Sequence, residues 1–594
     1  MSQFCADVSA RGRRWELRPG AAPSTGDVVL RDGYKVPPQV LEVVARRGIE
    51  GVADWFEPSL KAFMPDPSTL TAMDDAVARL CRAVEGGERI AVFGDYDVDG
   101  ATSTAIAIRW LRMVGVADAI FYIPQRLEEG YGPNDKAMDK LRAEGVGLVL
   151  CLDSGTGAID PDPAKGYDPI GHARRIGLDV VVLDHHEPRE DGLMPDAIIV
   201  NPKRPEDDGS LAYLCTAGLA FLFLVGANRA LRRSGFFAGR GIAEPDLRPL
   251  LGLAALGTVA DMVPLQGLNR AYVKLGLALM PENPGLAALA EATGEVEFSA
   301  RTCGFVFGPC INAGGRISDT RQGALLLTTD DPEEARDVAA RLFAVNRERQ
   351  DMQRAMVAAC VERAAAENAG DAAIVLYDEE WHPGVVGLAS NKVKDAFDRT
   401  AVVIGQGGKG SGRSVEGFNI GQAFHHAIDL GLIKKGGGHA AAGGLTIDPA
   451  KVDEFRRFLC EASKGIERPA SKVDLVLPVD GADIEAIEGF EAMAPFGMGN
   501  PRPRVAVVGA VLERPVLRSK GAIAAKLFDE NRNCVDLILF GGEGTALGDA
   551  LMAADGRRVD VMGEISINYY AGRRTVQLKV EDAMIGGKAA GAAA

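Results

Sequence analysis

Three short apolar runs, each ending on an acidic or imidazole-bearing loop, constrain this chain more than any other feature. ERIAVFG runs into GDYDVDG with Asp95, Asp97 and Asp99; GVGLVLCLD ends on Asp153; LDVVVLD ends on Asp184, followed by His185 and His186. Runs of Val, Ile and Leu without polar alternation read as strands buried on both faces. Helical segments such as ATSTAIAIRWLRMVG lie between them, and DAIFYIP and DAIIVNP supply two further strands. Strands alternating with helices predict an α/β fold with a doubly wound, mainly parallel sheet. In such a sheet the carboxyl ends of the strands line one crevice, so acids far apart in sequence converge there.

Convergence of that kind has a chemical consequence. Carboxylates facing one another repel strongly unless a counter-charge is present. One or two divalent cations supply it, and mixed Asp/His ligation suits Mn²⁺, with Mg²⁺ as the alternative. Asp261, in the apolar stretch GTVADMVPL, needs a buried partner and fits as a further metal-binding carboxylate. Each piece alone has an ordinary reading: a D-x-D loop or cap, a histidine pair on a surface, a D-S-G turn, an aspartate at a helix end. Their joint placement at strand ends favours a metal-dependent hydrolytic site built from Asp95, Asp97, Asp153, His185, His186 and Asp261.

The remaining chain divides by pattern. Residues 1–75 read as an irregular segment with a helical patch at 38–47, and residues 76–330 as the α/β unit. Residues 331–370, without glycine before position 370 and with no proline after Pro332, read as one long helix, the alternative being two helices bent near Asn346. A second, smaller α/β unit is expected at 371–465, ending in the glycine-rich GGGHAAAGG. At 471–585, short strand-like runs separated by turns predict a small barrel such as an OB-fold. The low-complexity end, 586–594, is expected to be disordered.

Composition narrows the setting. No apolar run reaches the roughly 18 residues a membrane span needs, and the N-terminus has no apolar core of an export signal. Nine cysteines lie singly, with no C-x-x-C pair, as expected for reduced thiols in a cytoplasm. The net charge of −16 is a poor match to a polyanion, yet from Asn500 onward Lys and Arg outnumber Asp and Glu by 13 to 11. Any nucleic acid must therefore be gripped in local grooves.

The motifs DYDVDG, DSG, DHH and GTVADMVPL, in that order, resemble the signature of the DHH phosphoesterase superfamily, and GGGHAAAGG resembles its DHHA1 companion. YIPQRLEEGYG, INAGGRISD, WHPGVVGLAS, SGRSVEGFNIGQAF and PFGMGNPRP bring the likeness closer to the RecJ exonuclease family, over residues 85–585. The resemblance implies a DHH catalytic domain at 76–330, a connector helix, a substrate-binding DHHA1 domain and an OB-like nucleic-acid-binding domain.

It further implies a single-strand-specific 5′→3′ exonuclease of DNA repair and recombination, releasing 5′-mononucleotides with two Mn²⁺ or Mg²⁺ ions. Asp95 would hold one ion and Asp97 the other, Asp153 would bridge, and His185 and Asp261 would complete the second site. His186 and His439 would contact the scissile phosphate. Asp184 would orient the histidines, and Asp99 would shape the loop before a helix starting at Ala101. Arg126, Arg316, Ser411 and Arg413 would grip a 5′-phosphate, with Gly314 and Gly315 letting the backbone approach the strand. His382 would assist or simply start a helix. Tyr569, Tyr570, Arg573 and Arg574 would form a stacking and basic track, or else an ordinary exposed hairpin. Expected partners are single-stranded DNA, a single-strand-binding protein and a helicase, with a monomeric state.

Two departures from the family pattern stand out. Family II pyrophosphatases carry a histidine four residues before the first Asp, where this chain has Ala91, and Ser154 replaces a more usual Cys, Asn or His. The competing readings are an oligoribonucleotide or cyclic-dinucleotide phosphodiesterase and, in another class, a non-catalytic replication scaffold of DHH fold.

Overall fold

In a computed structural model of the chain, residues 9–20, 28–126, 128–159, 166–189, 191–570 and 572–586 are described. The expected disordered tail lies, but for Gly586, outside them. The chain forms two compact units: residues 59–466 with 497–499, and residues 1–58 with 467–496 and 500–594.

The larger unit opens on the first α/β layer. Strands β1 (Ile90–Phe93), β2 (Ile120–Tyr122), β3 (Leu148–Leu152), β4 (Asp179–Leu183) and β5 (Ile198–Val200) form an all-parallel sheet in the order β2-β1-β3-β4-β5. Alternate residues of one strand enter different cores. Ile90, Val92, Leu150 and Val181 pack into one, whereas Ala91, Phe93, Val149 and Val182 pack into the other. That two-sided burial is why these strands read as unbroken apolar runs. Three helices that touch the acidic crevice follow: α1 (Val98–Met113), α2 (Thr216–Ser234) and α3 (Leu251–Ala260).

Residues Pro332–Glu367 form one continuous helix, α4, of 36 residues, which decides against a bend near Asn346. Asp331 caps it by accepting from the Glu333 N–H, with Pro332 in the first turn and Glu333 and Glu334 favourably placed against the helix dipole. Its first half buries Ala335, Val338 and Leu342 in the core of the first layer; its second half buries Met356, Cys360 and Ala364 under the second sheet.

That second sheet contains β6 (Ala373–Tyr377), β7 (Thr400–Ile404), β8 (Lys409–Arg413), β9 (Lys435–Gly438) and β10 (Ala442–Thr446), in the order β9-β10-β8-β7-β6. A helix, α5 (Val386–Phe397), packs against β7 and β8. GGGHAAAGG forms the hairpin β9–β10. A Cβ on Gly436 or Gly443 would meet Phe424 at 3.3 and 2.9 Å, so the missing side chains let the preceding helix, Ile420–Asp429, sit directly on this hairpin.

In the smaller unit, β11 (Leu475–Leu477), β12 (Arg504–Leu517), β13 (Ile523–Phe528), β14 (Cys534–Leu539), β15 (Arg558–Tyr570) and β16 (Arg573–Ile585) form one sheet. Pairing of β12 with β15 closes its last five strands into a barrel. The N-terminal residues differ from the irregular segment expected. Trp15–Leu17 pairs in parallel with Ser471–Val473, and Val40, Val43 and Val44 of the helix Pro38–Arg46 enter the barrel core. Asp474 holds Arg47 through two bonds of 2.9 and 3.1 Å, and Asp582 accepts from Trp15 Nε1 at 3.0 Å.

Candidate metal centre and phosphate pocket

The strand-end acids meet as the topology requires. Asp95, Asp97 and Asp153 present oxygens within 4.8 Å of one another; so do donor atoms of Asp153, His185 and His186, and of Asp99, His185 and Asp261. All six expected ligands thus fall in groups that share Asp153 or His185. Asp99 also joins the cluster. Its two oxygens accept from the backbone N–H groups of Thr216 and Ala217 at 2.7 and 2.8 Å, capping helix α2 from another element. Asp99 does not shape a loop before a helix at Ala101, because α1 already begins at Val98. Asp97 is the N-cap of α1, accepting from Gly100 N–H at 3.0 Å.

The loop is packed tightly. A Cβ at Gly100 would lie 2.6 Å from Asp95 Cβ and from its backbone, so only glycine lets the first turn of α1 back against Asp95. Gly100→Ala is expected to destabilise the protein by about 1–3 kcal/mol, read as a lowered melting temperature; an unchanged melt would show that the loop relaxes freely. Asp153 has φ of +63°, a left-handed conformation that costs a non-glycine residue about 1 kcal/mol or more and that here turns its carboxyl into the crevice. Thr216 Oγ1 donates to Asp153 Oδ1 at 2.9 Å, and Tyr131 OH donates to the Asp153 carbonyl at 2.8 Å.

The histidines are held from behind. Asp184 Oδ1 accepts from both His185 and His186 N–H and pairs with His186 Nδ1 at 2.8 Å. Its other oxygen accepts from Thr156 N–H at 2.9 Å. Burial would raise the Asp184 carboxyl, but these bonds outweigh it and hold it below the usual range, while the same pairing lifts His186. Burial keeps His185 low, hence neutral and ready to ligate.

In the cluster the buried Asp95 Oδ1 has no hydrogen-bond partner among the described residues, and His185 turns Nε2 toward Asp99, Asp153 and Asp261 at 3.5–3.7 Å. An unpaired acceptor at that depth is unfavourable, and together with the hard oxygen and imidazole donors around it this one fits divalent cations. Burial, then Asp97, pushes Asp95 up to about 7; burial, then Asp99 and Asp97, pushes Asp261 up to about 8. Acids raised in the folded state favour folding only while protonated. The metal-free protein should therefore lose stability as pH rises from about 4 to 8. Cations must displace those protons. Calorimetric titration with Mn²⁺ near pH 7 is expected to release protons and to tighten up to about pH 8; an affinity flat across that window would contradict the assignment.

Arg126, Arg316, Ser411 and Arg413, far apart in sequence, line one cavity of about 560 Å³ with Lys409 and Lys435. Among the described residues no Asp or Glu lines it. Burial and the neighbouring Arg126, Arg349 and Arg413 push the Arg316 guanidinium down to about 10. Arg413 Nη1 donates to Ser411 Oγ at 2.9 Å, and a Cβ at Gly387 would lie 3.1 Å from that same oxygen. Gly384, Val386 and Gly387 bring the N-terminus of α5 to the cavity, adding the positive end of a helix dipole. His382 Nδ1 accepts from Gly384 N–H at 3.1 Å, which shapes this helix start. Tyr96 links cavity and cluster: it follows Asp95, and Arg126 lies 4.9 Å over its ring.

Other expectations fare differently. The room at Gly315 is occupied by Tyr96, whose Cβ would lie 3.1 Å from an added methyl, and at Gly314 by the Asp319 carbonyl at 3.0 Å. Both glycines, inside the helix Gly308–Ile317, serve internal packing rather than approach to a strand. His439 stands exposed in the β9–β10 turn, bonded through its backbone to Ala442. Tyr569 is 70% exposed near the end of the β15–β16 hairpin, opposite Arg574, which pairs with Glu488; Arg573 is exposed beside it, and the Tyr570 side chain lies outside the described residues. Ala91 is fully buried in β1 and faces the second core. Sequence reasoning missed Tyr131, Thr216, Lys409, Lys435 and the α5 start. Tyr131 and the α5 start lie within YIPQRLEEGYG and WHPGVVGLAS, so their motifs were visible but not their contacts.

Comparison with known proteins places these features. The profile of the DHH family, N-terminal domain, matches residues 89–258; that of the DHHA1 domain matches 370–465; that of the RecJ OB domain matches 473–582. The single-stranded-DNA-specific exonuclease RecJ of Bacillus subtilis is 33% identical over 593 residues, covering 96% of this chain and 71% of its own. The crystal structure of RecJ from Thermus thermophilus with Mn²⁺ matches with a TM-score of 0.75 at 30% identity, covering 92% of this chain and 76% of that one. Its complex with Mg²⁺ matches with a TM-score of 0.70 at 28% identity, over 92% and 74%. Among the described residues no helix is long and apolar enough to cross a membrane.

Proposed function

The chain belongs to the RecJ family, and we propose that it is a metal-dependent exonuclease that hydrolyses single-stranded DNA from the 5′ end to 5′-mononucleotides. The observation that carries this reading is the pairing, in one compact unit, of a carboxylate–imidazole cluster with a cation-lined cavity. A cluster alone suits any phosphodiester hydrolase. The cavity adds an anchor for a terminal phosphate, which an internal cutter does not need.

In this reading Asp95 would hold one Mn²⁺ or Mg²⁺ and Asp97, His185 and Asp261 the other, with Asp153 shared between them, a division the grouping of Asp95, Asp97 and Asp153 and of Asp99, His185 and Asp261 supports. Bound there, the ions lower the pKa of water and stabilise the charge that grows on the phosphoryl oxygens. The chain's own groups do the positioning. Thr216 and the strained turn at Asp153 fix the shared carboxylate. Asp184 orients His186, whose half-exposed ring faces the phosphoryl group or the departing 3′-oxygen. Arg316, Arg413, Ser411 and Arg126 take the 5′-phosphate, guanidinium forks matching phosphate oxygens in pairs. His439 reaches the scissile phosphate from the β9–β10 turn. Tyr569 and Arg573 on the barrel hairpin offer a stacking and basic track for single-stranded DNA.

The substrate class is tested by incubating the full chain and Mn²⁺ with 5′-phosphorylated single strands, duplexes, dinucleotides and pyrophosphate. Mononucleotides from single strands support the reading. Cleavage of dinucleotides alone would favour the small-oligonucleotide phosphodiesterase, and no cleavage at all a scaffold.

A further inference from the structure

The cavity holds more positive charge than a 5′-phosphate can use. A terminal monophosphate carries about −1.5 to −2 near neutral pH, whereas Arg126, Arg316, Arg413, Lys409 and Lys435 all line this cavity with no acid among them. None of the five takes part in a described ion pair with Asp or Glu. A volume of about 560 Å³ is also that of a small-molecule pocket rather than of one phosphate group.

The strand register shows where the surplus lies. Side chains alternate along a strand, so Lys409, Ser411 and Arg413 of β8 share one face. Thr446 pairs with both Lys409 and Lys435, which places the two lysines on either side of it on that same face. At about 3.3 Å per residue, this lysine pair lies roughly 13 Å along β8 from Arg413. Between the two cationic ends, Ser411 is paired with Gly444 and Gly444 with Gly437, leaving a floor without side chains on two of the three strands. An added Cβ at Gly444 or Gly437 would find its nearest neighbour only at 3.9 Å. The turn that bears His439 lies at the Arg413 end, so the lysines lie on the far side of the 5′-phosphate from the scissile bond. An elongated anion continuing outward from the 5′ end fits this trough.

We infer that the cavity accepts 5′-polyphosphorylated ends, Lys409 and Lys435 holding the outer phosphates of a strand that begins with a triphosphate. The inference rests on the proposed exonuclease reading, with the α-phosphate seated at Ser411 and Arg413. In the first turnover water adds to the phosphorus of the first internucleotide bond. The P–O3′ bond breaks and the 3′-oxygen takes a proton. The first residue leaves as a nucleoside 5′-triphosphate with its anhydride bonds intact, and the shortened strand begins with a 5′-monophosphate. A triphosphate carries more negative charge than a terminal monophosphate, closer to what the five cations offer.

The test compares 5′-monophosphorylated DNA, 5′-triphosphorylated DNA and a 5′-triphosphorylated RNA-initiated DNA strand, using the full chain with Mn²⁺. Wild type is expected to use the triphosphorylated strands within about threefold of the monophosphorylated one, releasing nucleoside triphosphate first. In the double variant K409Q/K435Q the ratio of kcat/KM for triphosphorylated over monophosphorylated DNA is expected to fall about tenfold or more. Resistance of triphosphorylated strands, release of pyrophosphate instead of nucleoside triphosphate, or a ratio unmoved by the double variant would overturn the inference. Use of the RNA-initiated strand alone would restrict the ligand to that source. Failure on the monophosphorylated strand itself would instead remove the exonuclease reading beneath it.

Discussion

Asp153→Ala is expected to lower kcat/KM on single-stranded DNA by about three orders of magnitude or more, with the fold intact. Asp153 belongs to two of the three donor groups and is fixed by Thr216 and by its own left-handed backbone. Its removal deprives both metal positions of an oxygen, and metal stabilisation of the transition state is worth several kcal/mol, each 1.4 of which is tenfold in rate. Stability should respond differently. Burial, then Asp99 and Asp97, raise the Asp153 carboxyl well above its ordinary range. At neutral pH its ionised form therefore works against the metal-free fold, and alanine relieves that repulsion while losing the Thr216 bond. A metal-free variant melting close to wild type, less stabilised by Mn²⁺ and inactive, is the expected result. Retained turnover would show that the shared carboxylate is misassigned.

Arg413→Ala is expected to reduce the preference for 5′-phosphorylated over 5′-hydroxyl strands by roughly 10- to 100-fold in kcat/KM, the range of one or two charge-assisted hydrogen bonds to phosphate. Its half-buried guanidinium is partnered by Ser411 and the Gly412 carbonyl rather than by an acid, and faces a cavity with other cations. Burial already depresses it, so an arriving anion gains more from it than from an exposed arginine. Comparison of the two strand ends on wild type and variant checks this; an unchanged preference would take Arg413 out of the pocket.

Much of the site was legible because its signals are local. An apolar run followed at once by acids or histidines marks a strand end, and a parallel sheet turns strand ends into one crevice. Asp95, Asp97, Asp153, His185 and His186 needed no more than that. The long helix was equally open, since nothing in residues 333–367 interrupts it. What escaped depends on contacts between distant segments. Asp99 caps a helix 117 residues away. Gly315 makes room for Tyr96 rather than for a ligand. Lys409 and Lys435 meet only through the pairing of both with Thr446. The N-terminal residues look irregular because their partners, Asp474 and Asp582, lie more than 400 positions on.

The proposed reaction cuts single strands one nucleotide at a time from the 5′ end, the cluster and the cavity acting together. Its most direct test follows one 5′-phosphorylated strand labelled at either end, with the full chain in Mn²⁺ and in chelator. The 5′-labelled strand should yield labelled mononucleotide as its first product and the 3′-labelled strand a descending ladder, with chelator stopping both and the matching duplex resisting. Labelled mononucleotide appearing first from the 3′ end, internal cuts, or undiminished activity in chelator would contradict the account.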